Sequence, residues 1–109
     1  MIELPFPPPK LSPNGRHHWA VKARAFKAYK TQCHALLSQH RDTLKGRESF
    51  ELRFLPPDKH RRDLDNALAS FKAGLDALAL VTGVDDSQFK LTIAKGEPVK
   101  GGKVILACQ

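Results

Sequence analysis

Strict alternation of apolar and polar side chains predicts a half-buried strand at Ser49–Leu55, with Phe50, Leu52 and Phe54 on one face. Pro56-Pro57 ends this strand, because proline cannot donate to a sheet ladder. Other short apolar segments bounded by turn residues predict further strands at Ile2–Phe6, Phe89–Ala94 and Val104–Cys108.

Two longer segments have the helical period instead. In Trp19–His40, one apolar stripe at 100° per residue contains Trp19, Phe26, Cys33 and Leu37, and the opposite face is basic and polar. A second helix is predicted at about Leu64–Leu80, where apolar residues recur at steps of four and three. Gly74 inside it predicts close packing, and Gly83 predicts its end.

The connections between these segments are rich in turn residues or polar residues. They are a loop from Pro7 to about His18, a polar connection at Arg41–Gly46 and a turn at Lys95–Lys103. The resulting order is β-α-β-α-β-β. We therefore expect residues 1–109 to form a single small α+β domain, with a mixed sheet and two helices packed on one face.

The charge of the chain is unevenly distributed. Its 109 residues include 18 Lys and Arg against 11 Asp and Glu, a net charge of +7. Residues 1–41 carry seven of the bases and one acid, Glu3, and the remaining residues are nearly neutral. A concentrated basic segment favours a polyanionic partner such as DNA, although surface charge that serves only solubility is the alternative.

Several classes of protein are disfavoured. Met1–Lys10 has neither the basic nor the apolar part of a secretory signal, and no apolar run approaches the ~20 residues of a membrane span, so we expect a cytoplasmic protein without membrane association. Cys33 and Cys108 are expected to be reduced thiols. The five histidines do not have zinc-site spacing, and no Ser/His/Asp or Cys/His arrangement is evident.

Two acidic pairs are the candidates for chemistry. Asp63 and Asp65 follow Arg61-Arg62 at the predicted start of the second helix, and Asp85-Asp86 follow its end. Carboxylate oxygens are the ligands that Mg²⁺ prefers. Helix capping is an equally good explanation of Asp63 and Asp65, and a polar turn is the commoner explanation of Asp85-Asp86. If the pairs act together, a third carboxylate completes an oxygen-rich site.

These residues resemble a known family. The run Arg61-Arg62-Asp63-Leu64-Asp65-Asn66, the helix that follows it and then Val84-Asp85-Asp86-Ser87-Gln88 are similar to the RusA-type Holliday-junction resolvases. The opening Leu4-Pro5-Phe6-Pro7-Pro8 with Asn14 and the closing Gly101-Gly102-Lys103-Val104 add to the likeness, which covers essentially the whole chain.

The resemblance implies a function. Members of the family are small homodimeric endodeoxyribonucleases, that is, phosphodiester hydrolases, and many are encoded by phages and prophages. They bind four-way DNA junctions in recombination and repair and nick two strands symmetrically. They use Mg²⁺ and no small-molecule cofactor. Their metal-binding and catalytic aspartates correspond to Asp63, Asp65 and Asp86. The backbone-binding residues would then be Arg16, Lys22, Arg24, Lys27, Lys30, Arg61 and Arg62.

One position departs from the family pattern. The family lysine one turn after the second aspartate falls at Ala69. Lys72 lies seven positions after Asp65, on nearly the same face of a continuous helix, and our hypothesis is that it supplies the missing cation as a catalytic residue. A surface lysine without a function is the alternative.

The sequence thus predicts a Mg²⁺-dependent, structure-selective DNA endonuclease. A non-catalytic basic nucleic-acid-binding module, in which the acids are caps and turns, is an alternative from another class. A metal-dependent nuclease that acts on flaps or RNA is a third, because the chemistry of the backbone is similar in all three substrates.

Overall fold

Four strands form one mixed sheet in the order β1-β4-β2-β3. The structure, a computed structural model, describes all residues from 1 to 109. Its strands are β1 (Ile2–Pro5), β2 (Ser49–Leu55), β3 (Lys90–Lys95) and β4 (Lys103–Cys108). β4 is antiparallel to both β1 and β2, whereas β2 and β3 are parallel. The predicted α+β fold with a mixed sheet is confirmed.

The register of the sheet collects the alternating apolar residues on one face. In one row of cross-strand partners, Leu106 lies between Ile2 and Leu52, and Leu52 also pairs with Ile93. The adjacent row joins Leu4, Val104 and Phe54. Residues that are opposite each other across a ladder share a face, so these rows form the floor of the core.

Helices cover this apolar face. They are α1 (Trp19–Ser38), α2 (Arg41–Leu44), α3 (Leu64–Ser70) and α4 (Lys72–Thr82). From α1, the core receives Tyr29, Cys33 and Leu37, all of which are buried. Tyr29 also donates a hydrogen bond of 2.5 Å to the carbonyl oxygen of Pro5, which fixes α1 against the end of β1 and the start of the proline-rich loop.

The predicted second helix is not continuous, because it is divided at Phe71. This residue has φ −90° and ψ 7°, and it separates α3 from α4. The Phe71 ring is 1% exposed and packs edge-on against Tyr29 and Phe54, with ring centroids 6.2 Å and 5.9 Å away. Core packing of one aromatic side chain therefore accompanies the break, and Lys72 becomes the first residue of α4.

Gly74 provides the space that this ring needs. A Cβ atom placed on Gly74 would lie 2.4 Å from Cε1 of Phe71, well inside contact distance. The close packing predicted at this glycine is confirmed. The helix α4 ends at Thr82, two residues beyond the predicted Leu80, and Gly83 caps it in the left-handed conformation with φ +75°.

We expect Gly74→Ala to destabilise the protein by about 1–3 kcal/mol, because Phe71 must move. In an open helix the same change stabilises by about 1 kcal/mol. Urea denaturation of the single variants and of the double variant with Phe71→Ala measures the coupling. In the Phe71→Ala background, Gly74→Ala should become neutral or stabilising. A stabilising Gly74→Ala in the wild-type background would show that the ring and this position are not in conflict.

Two local predictions were wrong. Trp19 does not contribute to the core stripe of α1, because it begins the helix and its residue is 75% exposed. The connection Arg41–Gly46 is not simply polar: Arg41–Leu44 forms α2, and Leu44 is completely buried. In both cases the local sequence pattern does not specify the burial of the residue.

Candidate active site and nucleic-acid interface

A groove of about 490 Å³ lies between the proline-rich loop and the start of α3, and we call it the proline groove. Its walls include Pro8, Asn14, Arg61, Asp63, Asn66 and Ser70. The loop contributes one wall, and the charged segment before α3 together with α3 itself contributes the other. The groove thus brings the opening Leu-Pro-Phe-Pro-Pro segment and the R-R-D-L-D-N run to one place, although they are far apart in the sequence.

Asp63 occupies the N-cap position of α3 but does not act as a side-chain cap. Its backbone is extended, with φ −82° and ψ 144°, and its side chain makes no capping hydrogen bond. The carboxylate is 57% exposed, and its only ionic partner is the Arg61 guanidinium, with Oδ1 and Nε 3.8 Å apart. The interpretation of Asp63 as an ordinary side-chain cap therefore has no support in this geometry.

Asp65 is exposed in the first turn of α3. Its Oδ1 accepts a hydrogen bond from the backbone N–H of Asn66 at 3.0 Å, and the carboxylate forms no ion pair. A carboxylate near a helix N-terminus is stabilised by the helix dipole, which explains why the position tolerates the charge. Most of the ligand capacity of Asp65 remains open to solvent.

The acidic pair after α4 divides into two different roles. The Asp85 Oδ1 accepts a hydrogen bond from the backbone N–H of Ser87 at 2.9 Å, as the cap of a short 3-10 turn at Asp86–Gln88. This hydrogen bond holds the pKa of Asp85 below its usual range. Asp86 has another partner, because its Oδ2 accepts from the ammonium of Lys72. The turn interpretation thus applies to Asp85, and Asp86 remains the site candidate.

Lys72 links α4 to this turn. Its ammonium also donates to Asp76 Oδ1 at 2.8 Å, one helical turn further along α4. Hydrogen bonds to Asp76 and Asp86 raise the pKa of Lys72, so it is fully charged at neutral pH. A surface lysine held between two carboxylates is more ordered than a free one. Sequence reasoning missed Asp76, although its i,i+4 spacing from Lys72 is a recognisable signal.

Asp63, Asp65 and Asp86, the aspartates implied by the resemblance, do not form a preassembled metal site. No set of three or more His, Cys, Asp or Glu side chains is clustered in an arrangement that could hold a metal ion. In donor chemistry the residues do fit Mg²⁺, because Asp63, Asp65 and Asp86 offer only oxygens and none is used as a side-chain helix cap. The assignment of these three residues to a metal site stays a prediction.

The two arginines before Asp63 differ in their surroundings. The Arg62 Nη1 lies 2.6 Å from Asp58 Oδ1, and the guanidinium sits 5.8 Å from the Phe6 ring centroid. The hydrogen bond from Arg62, followed by one from the backbone N–H of His60, holds the pKa of Asp58 far below its usual range. Arg61 is 94% exposed. Arg62 therefore orders the segment before α3, and Arg61 is the guanidinium available to a ligand.

Five of the seven basic residues predicted to hold DNA lie on or just before α1, and none of these five forms an ion pair. Arg16, Arg24 and Lys27 are exposed, whereas Lys22 and Lys30 are half-buried. No acid occurs between Leu4 and Arg41, so this positive charge is not neutralised locally. The set is thus a basic surface whose charges are free to contact phosphates.

Comparison with known proteins adds a relative without an assigned function. No family model matches the chain. An uncharacterized protein of Xylella fastidiosa (strain Temecula1) is 32% identical over 93 residues. The match covers 81% of this chain and 61% of that protein, so the chain spans about three fifths of the relative's length. None of the helices described above combines the length and apolar character that crossing a membrane requires.

Proposed function

We propose that the protein is a Mg²⁺-dependent, structure-selective endodeoxyribonuclease that resolves four-way DNA junctions by paired symmetric nicks. The observation that carries the proposal is the Lys72–Asp86 contact. It joins Asp86, one of the aspartates implied by the resemblance to the RusA-type resolvases, to Lys72, our hypothesised replacement for the family lysine that is absent at Ala69. The two residues are separated by 14 positions in the sequence. Asp63 gives further support, because it lines the proline groove and its side chain makes no helix-capping hydrogen bond.

Each group has a role in the proposal. Asp63, Asp65 and Asp86 would hold the metal ion, which when bound would polarise the phosphodiester and activate water. Lys72 neutralises Asp86 and, held by Asp76, presents an ammonium that stabilises negative charge on the phosphate. Arg61 and the basic residues of α1 attract the DNA backbone. The proposed place of action is the cytoplasm, where the nucleoid lies.

A homodimer is part of the same proposal. Two symmetric nicks in a four-way junction need two active sites related by a two-fold axis, and one chain has one such set of residues. Sedimentation of the protein with and without a junction measures the mass of the active form.

A second candidate function is a non-catalytic nucleic-acid-binding module. The specific observation in its favour is that the acids are not clustered for a metal ion. This candidate predicts DNA affinity that falls steeply with salt and does not depend on Mg²⁺. Against it, exposed carboxylates beside the groove weaken binding of a polyanion and give a pure binding module no advantage.

The experiment that tests the function compares end-labelled substrates of matched sequence: a four-way junction, a duplex, a flap and an RNA duplex. Each is incubated with the protein in Mg²⁺ and in EDTA. The proposal expects cleavage of the junction only, and only with Mg²⁺. Cleavage confined to the flap or to RNA would show that this substrate, and not the four-way junction, is the one that the protein cleaves. Binding without cleavage of any substrate would favour the binding module.

Lys72→Ala is expected to slow junction cleavage by about 10²-fold, a typical loss when one group that stabilises charge in the transition state is removed. Binding measured in EDTA should change little, because Lys72 is one of many cations. Lys100→Ala, which removes an exposed lysine without an ion pair, is the matched control. Cleavage at the wild-type rate by Lys72→Ala would show that Lys72 is a surface lysine without a role in catalysis.

A further inference from the structure

Among the Phe, Tyr and Trp side chains, Trp19 is the one that the fold leaves largely exposed to solvent. The chain has six Phe, one Tyr and one Trp. Phe50, Phe54, Phe71 and Tyr29 are buried, the other three phenylalanines are half-buried, and Trp19 is 75% exposed. A large apolar ring in this position is stabilised when a partner covers it.

The Trp19 indole is held in place by the residues at the start of α1. His18, the N-cap of α1, accepts a hydrogen bond at Nδ1 from the backbone N–H of Ala20 at 3.2 Å. The rings of His18 and Trp19 lie 5.5 Å apart, at an interplanar angle of 35°. Trp19 is therefore supported by the first turn of a 20-residue helix and by the imidazole of His18, which caps that helix. Such support lowers the entropic cost of binding.

The charges that flank Trp19 in the sequence indicate what covers its ring. Arg16 precedes it, Lys22 follows one turn later, and neither forms an ion pair. With no acid nearby in the sequence, the surroundings attract a polyanion and disfavour an ordinary protein partner of mixed charge. An aromatic platform beside unpaired cations is the arrangement by which proteins bind single-stranded nucleic acid.

We infer that Trp19 is a stacking platform for an unstacked base of DNA, with Arg16 and Lys22 contacting the adjacent phosphates. The inference rests on the proposed function for its substrate, and it specifies which part of a branched DNA this surface takes: the unstacked base at the branch point. A paired duplex does not offer the face of a base, so this contact discriminates between branched and unbranched DNA.

Because the chain has one tryptophan, its tryptophan fluorescence reports this surface alone. The protein is titrated in EDTA with oligothymidylate, a four-way junction, a matched duplex and heparin, a polyanion without bases. We expect strong quenching by oligothymidylate and the junction, and weak quenching by duplex and heparin at saturation. Equal quenching by heparin would overturn the inference, since charge alone would then account for the signal.

Substitution at Trp19 gives the second readout. We expect Trp19→Ala to weaken oligothymidylate binding about tenfold, Trp19→Phe to retain most of the affinity, and the salt slope to stay unchanged because no phosphate contact is lost. Leu80→Ala, which truncates a residue that is 61% exposed on α4, is the matched control. Wild-type affinity in Trp19→Ala would overturn the inference. The inference would also be overturned if Trp19→Ala, free of DNA, had a lower molecular mass by sedimentation than the wild-type protein. The ring would then lie in an interface between copies of this chain.

The two proposals fail separately. Quenching by single-stranded DNA without cleavage of any substrate would contradict the nuclease proposal and support the stacking platform. Mg²⁺-dependent junction cleavage by a Trp19→Ala variant with unchanged DNA affinity would contradict the platform and support the nuclease.

Discussion

Asp65→Asn is expected to bind four-way junctions as the wild-type protein does and to cleave them at least about 10³-fold more slowly. An amide in place of the carboxylate removes one negative charge from the proposed metal site, and a metal ion supplies several kcal/mol of charge stabilisation in such reactions. Asp65 has no ion pair and one local hydrogen bond, so the fold should tolerate the change.

The measurement is single-turnover cleavage of a labelled junction in Mg²⁺, with binding measured separately in EDTA. Asp42→Asn, which removes an exposed acid from the first turn of α2, is the matched control, and it should cleave normally. Cleavage by Asp65→Asn at the wild-type rate would remove this residue from the site. Equal slowing by Asp42→Asn would show that the effect comes from net charge alone.

Phe71→Ala is expected to lower the free energy of unfolding by about 3–5 kcal/mol, the usual loss for a buried phenylalanine. Phe71 joins the break between α3 and α4 to α1 and β2 through its contacts with Tyr29 and Phe54. Urea denaturation measures the effect, with the exposed Leu80→Ala as a control that should change stability by no more than about 0.5 kcal/mol. A loss of less than about 1 kcal/mol would mean that the ring does not hold these elements together.

Local patterns predicted the elements that depend on local rules. The alternation in Ser49–Leu55 predicted the bounds of β2 without error, because every inward residue of that strand faces the same core. Gly83 and the turn predicted at Lys95–Lys103 were also correctly placed. Gly83, and Gly101 and Gly102 within that turn, all adopt positive φ. These are features that the chain determines within a few residues.

Features that depend on the tertiary structure were not predictable in this way. The helical period cannot show that Trp19 stays exposed at the start of α1, or that Leu44 joins the buried core. The break at Phe71 arises from packing against Tyr29 and Phe54, which are distant in the sequence. The sequence also could not show that β4 enters the sheet between β1 and β2.

The candidate site shows the same division. The segments containing Asp63, Asp65 and Asp86 were recognisable as motifs, and Lys72 was proposed from its spacing on a continuous helix. Lys72 does not lie on one continuous helix with Asp65, because the helix breaks at Phe71. The contact between Lys72 and Asp86 depends instead on the turn after α4, and the partners Asp76 and Asp58 were missed.

The most direct test of the central claim is to map the nicks on all four strands of one synthetic four-way junction, each strand labelled in turn, with wild-type protein in Mg²⁺. The account predicts two nicks at symmetry-related positions on opposite strands, and none in EDTA. Intact strands in Mg²⁺ at protein concentrations that saturate the junction would contradict it.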